Sequence, residues 1–74
     1  MNEQSPVETR ILQVSDGYAG RLGFPLEKFQ RTVEKKDEAY VVEYFPRDPT
    51  RRGGGLEIWV DGKTLKVIRK IYTQ

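Results

Sequence analysis

Ser5-Pro6-Val7-Glu8 opens the first regular pattern in the chain. A serine, a proline and then a glutamate three residues after the serine make a capping box with proline in the first turn, and so predict a helix beginning at residue 6. Val7, Ile11, Val14, Tyr18 and Leu22 recur every three or four residues and place one apolar stripe on a helix over residues 6–22. Gly17 and Gly20 interrupt this segment. Each costs a helix about 1 kcal/mol relative to alanine, so they suggest close backbone approach to another element or a frayed last turn. Gly23 is expected to end the helix in a left-handed conformation, and Pro25 prevents its resumption.

Leu26, Phe29 and Val33 fit a helical period, while Phe29, Arg31 and Val33 fit a strand. The β-branched pair Thr32-Val33 and the polar turn Lys35-Lys36-Asp37-Glu38 favour a strand over 28–34, paired as a hairpin with the strongly strand-forming segment 39–45. Pro46, Asp48, Pro49 and Gly53-Gly54-Gly55 mark a long loop, followed by a strand at 56–60, a turn at Asp61-Gly62 and a return strand at 65–72. The expected architecture is an α+β domain spanning residues 1–74, with 1–4 disordered and one N-terminal helix packed on a four-stranded antiparallel meander sheet.

Alternation within the strands sorts their residues by face. Leu56, Ile58 and Val60 share one face, and strict alternation puts Leu65, Val67 and Ile71 with them, toward the helix. The opposite face then carries Trp59, Ile68 and Tyr72, joined by either Tyr40, Val42 and Tyr44 or by Val41 and Phe45. A sheet covered by one helix should be polar on its outer side. An apolar and aromatic outer face predicts an association surface, although Lys66 and Lys70 can lay their aliphatic stems across part of it.

The chain has 74 residues, so its core is small and its stability margin narrow. It contains no cysteine and no histidine. That removes disulfides, thiolate nucleophiles, the commonest general base and the usual zinc and haem ligands. Glu43 and Glu57 are the carboxylates expected inside strands, and solvent-facing positions account for them. No cofactor or metal is implied, and the chain is expected not to be an enzyme. The first ten residues lack an apolar run, so neither a secretory signal nor a membrane anchor is expected, and a cytoplasmic location follows.

The net charge of +2 is unevenly spread: residues 1–45 balance to −2 and residues 46–74 to +4. Trp59, Lys66, Lys70 and Tyr72 make a poor basic and aromatic stripe, which argues against nucleic-acid binding. The segment Arg47-Asp48-Pro49-Thr50-Arg51-Arg52-Gly53-Gly54-Gly55 combines arginines with glycine amides that can cradle an anion. It is not a nucleotide phosphate loop, because Leu56-Glu57 and a strand follow instead of lysine, a hydroxyl and a helix.

The run Tyr40-Val41-Val42-Glu43-Tyr44-Phe45-Pro46-Arg47-Asp48-Pro49, then Gly53-Gly54-Gly55-Leu56-Glu57-Ile58-Trp59-Val60-Asp61-Gly62, and finally Val67-Ile68-Arg69-Lys70-Ile71-Tyr72-Thr73-Gln74, resembles bacterial immunity proteins with a nuclear transport factor 2-like fold. The shared pattern is a strand ending in proline, a glycine-paired loop, a strand running into an aspartate turn, and a final strand containing valine. PepSY and cystatin-like small domains share much of this rhythm. The resemblance implies a protein that binds and blocks a cognate toxin without catalysis of its own. The chain is shorter than that family's fold, which closes several helices around a pocket, so the expected working surface is the sheet. Trp59, Ile68 and Tyr72, with Arg51 and Arg52 from the loop, are the expected partner-binding residues, for a toxin, a peptidase or a second copy in a homodimer.

Overall fold

The computed structural model describes residues 5–48, 50 and 54–73. The element order is α1 (Pro6–Arg21), a 3-10 turn (Leu26–Lys28), β1 (Phe29–Lys36), β2 (Ala39–Pro46), β3 (Gly55–Asp61) and β4 (Val67–Thr73). The strands form one antiparallel sheet in the order β1-β2-β3-β4. The α+β arrangement of one helix and a four-stranded meander is therefore as the sequence pattern predicts. The expected disorder at 1–4 concerns residues outside those described.

Helix α1 starts where its capping box sits. The Glu8 N–H donates to Ser5 Oγ at 3.1 Å and the Ser5 N–H to Glu8 Oε1 at 3.4 Å. At the far end the Phe24 N–H bonds the Ala19 carbonyl at 3.1 Å and the Gly23 N–H bonds the Gly20 carbonyl at 3.0 Å, with Gly23 at φ 82°. That pair of bonds is the Schellman closure, and it satisfies carbonyls the helix cannot. The glycines inside the helix do not face the sheet: a Cβ on Gly20 would meet nothing within 4 Å, and one on Gly17 only Arg21 Nη1 at 3.9 Å.

The buried face of α1 is rotated from the predicted stripe. Ile11, Leu12, Ser15 and Ala19 are its buried residues, whereas Val7 and Leu22 are exposed. The sequence stripe counted only large apolar residues. Small Ser15 and Ala19 sit on the contact line instead. Ile11, Leu12 and Ala19 share one core cluster with Val42, Tyr44, Leu56, Ile58 and Val60 of the two central strands, and Ser15 reaches Tyr44 through its hydroxyl. Each such aliphatic side chain stabilises the fold by about 1.5–3 kcal/mol on burial.

A polar chain runs through this contact. The Tyr44 hydroxyl donates to Asp16 Oδ1 at 2.6 Å, which commits its only proton, so the Ser15 hydroxyl at 2.8 Å is the donor to Tyr44. Arg31 Nε approaches the same Asp16 oxygen at 3.3 Å from β1. Burial first, and the hydrogen bond to Asp16 second, push the Tyr44 phenol well above its ordinary range. Phe24 packs on Phe29 with ring centroids 4.4 Å apart and edge-on to Tyr44 at 5.7 Å, closing the end of the core beyond the helix.

Residues 26–36 combine both competing patterns, with the short 3-10 turn first and the strand from Phe29 onward. The last strand begins at Val67, two residues later than expected, because Leu65 takes φ 60° and belongs to the turn. Asp61 builds that turn by accepting the Lys63 N–H at 2.7 Å and the Thr64 N–H at 3.1 Å. Those two backbone donors hold its carboxyl below the usual carboxylate range. Gly55 is required by close approach: a Cβ there would collide with Thr73 Oγ1 and lie 2.8 Å from the Tyr44 carbonyl.

Candidate functional site

The register assigns every strand residue to a face. Tyr40, Val42 and Tyr44 lie opposite Val60, Ile58 and Leu56, on the helix side. Of the two sets left open by the sequence, Val41 and Phe45 are therefore the ones that point away from the helix. Across β3 and β4 the pairs are Leu56 with Tyr72, Glu57 with Ile71, Ile58 with Lys70, Trp59 with Arg69 and Val60 with Val67. One β3 step thus faces two β4 steps at Ile68, a β-bulge.

The bulge corrects the strict alternation assumed for the last strand. Val67 keeps the helix side, but every residue beyond Ile68 changes face. Ile71 moves to the outer side beside Glu57, and Tyr72 moves to the helix side beside Leu56. Trp59, Ile68 and Tyr72 therefore do not form a single outer patch. Tyr72 is exposed at the sheet edge with the Lys70 ammonium 5.3 Å from its ring centre, and Ile68 is exposed at the bulge. The stripe considered for nucleic acid is split in the same way, with Trp59 on one face and Lys70 and Tyr72 on the other. Arg51 and Arg52, and with them the centre of the anion-cradle loop, lie outside the described residues.

The outer face that does exist is built from two rows. One runs Glu34, Val41, Trp59, Arg69, and the next runs Thr32, Glu43, Glu57, Ile71, with Phe45 beyond them on β2. Among the described residues, α1 and the core cluster occupy only the other side of the sheet. Val41 is nonetheless buried to 5% exposure without belonging to that cluster. Its cross-strand partner Trp59 is bulky enough to shield it within its own row. The Arg69 guanidinium stands over the indole, its carbon 5.5 Å from the ring centre. Trp59 Nε1 is buried and, among the described residues, has no hydrogen-bond partner, an orphaned donor that costs about 1–3 kcal/mol.

Glu43 and Glu57 face each other directly across β2 and β3 on this side. They sit on an open sheet surface with Glu43 exposed and Glu57 half-buried, not in a cleft. A cleft of about 200 Å³ lies at the turn end of the sheet, lined by Lys35, Asp37, Glu38, Tyr40, Gly62 and Lys63. Small-molecule sites usually enclose about 300–1,000 Å³. Among the described residues no three acidic side chains converge as metal ligands, and no helix is long and apolar enough to cross a membrane.

Val41 with Phe45 was one of the two sets the sequence offered beside Trp59, whereas Ile71 and the glutamate pair as members of that surface were not singled out by sequence reasoning. Parity alone could have placed Val41 and Glu57 there, while Ile71 required the bulge. Comparison of the chain with family models, curated proteins and solved structures gives no match.

Proposed function

We propose that this chain is a non-enzymatic binding protein that holds a protein partner on the outer sheet face around Trp59. In its most specific form it is an immunity protein that neutralises a cognate bacterial toxin. The observation that carries the reading is one juxtaposition: a buried indole N–H with no acceptor among the described residues, Val41 paired with it and Ile71 one step along β4, the opposed Glu43 and Glu57 alongside, and exposed Phe45 farther along β2. A partner suited to this face offers an apolar projection, a carbonyl oxygen for Nε1 once Arg69 swings aside, and a basic side chain for the two carboxylates. Tryptophan is among the residues most often at the energetic centre of an interface, and truncating a central one costs about 2 kcal/mol or more of binding. The toxin form rests on the resemblance in the C-terminal half of the chain.

The test is site-resolved photo-crosslinking in the producing cells. A photoreactive residue replaces exposed Thr32 on the outer face or, as control, exposed Thr9 on the helix. The expected result is a heterologous adduct from position 32 that is absent from position 9 and lost in Trp59→Ala. Equal adducts at both positions, or none, overturn the binding face. The captured protein is then expressed alone and with this chain. Growth arrest relieved by the wild type but not by Trp59→Ala supports the toxin reading, and a harmless captured protein overturns it.

A further inference from the structure

The two edges of the sheet differ in how they are guarded. β1 carries Arg31, Glu34, Lys35 and Lys36 along its length, the charged edge by which sheet proteins discourage pairing with another chain. β4 carries exposed Ile68, Ile71 and Tyr72 with two cations, Arg69 and Lys70, and among the described residues it pairs on one side only, with β3.

We infer that β4 pairs antiparallel with β4 of a second copy, about a twofold axis at Ile71, to make one continuous eight-stranded sheet. A second copy fits because the strand is self-complementary in one register: charge excludes the axes at Arg69 and Lys70, and the contact of Lys70 with Tyr72 selects Ile71. A twofold axis perpendicular to the sheet keeps each side chain on its own face, so the register is defined by the residue that meets itself. An axis at Arg69 or at Lys70 sets identical cations directly opposite each other, which is destabilising. An axis at Ile71 sets Ile71 against Ile71, Lys70 against Tyr72 of the second copy, and Arg69 against Thr73 of the second copy. No like charges then meet. The Lys70 and Tyr72 pairing repeats between chains the cation and ring contact already made within one chain at 5.3 Å. The bulge at Ile68 bends the strand and ends the pairing on that side. The contact is isologous, the commonest symmetry of soluble oligomers. It is also small beside a standard interface of about 1,600 Å², so the dimer is concentration-dependent. Ile71 belongs to both this pairing and the outer face, whereas Trp59 belongs to the face alone, so Trp59→Ala and the register of cysteine cross-linking separate this inference from the proposed binding face.

The chain contains no cysteine, which permits a direct reading of the register. Opposed residues of an antiparallel pair have Cα atoms about 4.5–5.5 Å apart, within disulfide reach, whereas the same residue two positions from the axis is displaced by four residues, roughly 13 Å. Under mild oxidation Ile71→Cys is expected to give a covalent dimer while Arg69→Cys and Thr73→Cys stay largely monomeric. Sedimentation across a concentration series should show reversible dimerisation of the wild type, lost in Ile71→Lys with an unchanged circular dichroism spectrum. A wild type that stays monomeric to several hundred micromolar overturns the inference. So does faster cross-linking of Arg69→Cys than of Ile71→Cys, or a wild-type dimer that Trp59→Ala abolishes, which would move the contact to the face.

Discussion

Tyr44 does two things that a phenylalanine in its place could not. Its ring fills the centre of the core at 2% exposure, and its hydroxyl links two helix side chains to the sheet. Tyr44→Phe keeps the ring but leaves the buried Ser15 hydroxyl and an Asp16 oxygen short of a partner, so it should destabilise the protein by about 1–3 kcal/mol in denaturant titration. The raised phenol also fixes a pH response. Above roughly pH 10 the unfolded chain loses this proton while the folded chain retains it. Stability therefore falls as pH rises through and beyond that value, and is unaffected by this group below it. The alkaline loss should be shallower in Tyr44→Phe, which a pH series of unfolding midpoints can check.

The helix and the meander were legible because their signals are local. The Ser5 to Glu8 box, Gly23, and the turn residues Asp37 and Asp61 each act on backbone groups within a few positions. Two substitutions in α1 should accordingly shift stability in opposite directions. Ser5→Ala removes the cap oxygen and should cost about 1 kcal/mol, whereas Gly20→Ala fills open space on an exposed turn and should add about 0.5–1 kcal/mol. Thermal melts of the pair side by side test both. What the sequence hid was non-local. Val67-Ile68-Arg69 reads the same with or without a bulge, because the extra residue is defined only by its partner strand, and it reversed the faces of Ile71 and Tyr72. Ser15 was hidden for a related reason: its place on the buried line depends on a tyrosine 29 residues away.

Across the whole molecule the two faces of the sheet carry different duties. The helix side holds the core, while the outer side bears features that cost stability, the directly opposed Glu43 and Glu57 and the orphaned indole N–H. Glu57→Gln should raise the unfolding free energy by about 0.2–1 kcal/mol and at the same time lower partner cross-linking from position 32, a trade expected where a surface is kept for binding. Equal cross-linking with higher stability would leave the acidic pair without that role. Trp59 is also the chain's single tryptophan, and it stands outside the core cluster. Its fluorescence therefore reports the outer face and not the packing beneath the helix. An emission change without loss of far-ultraviolet helix signal will mark occupation of that face, so the protein carries its own label-free optical sensor for whatever docks there.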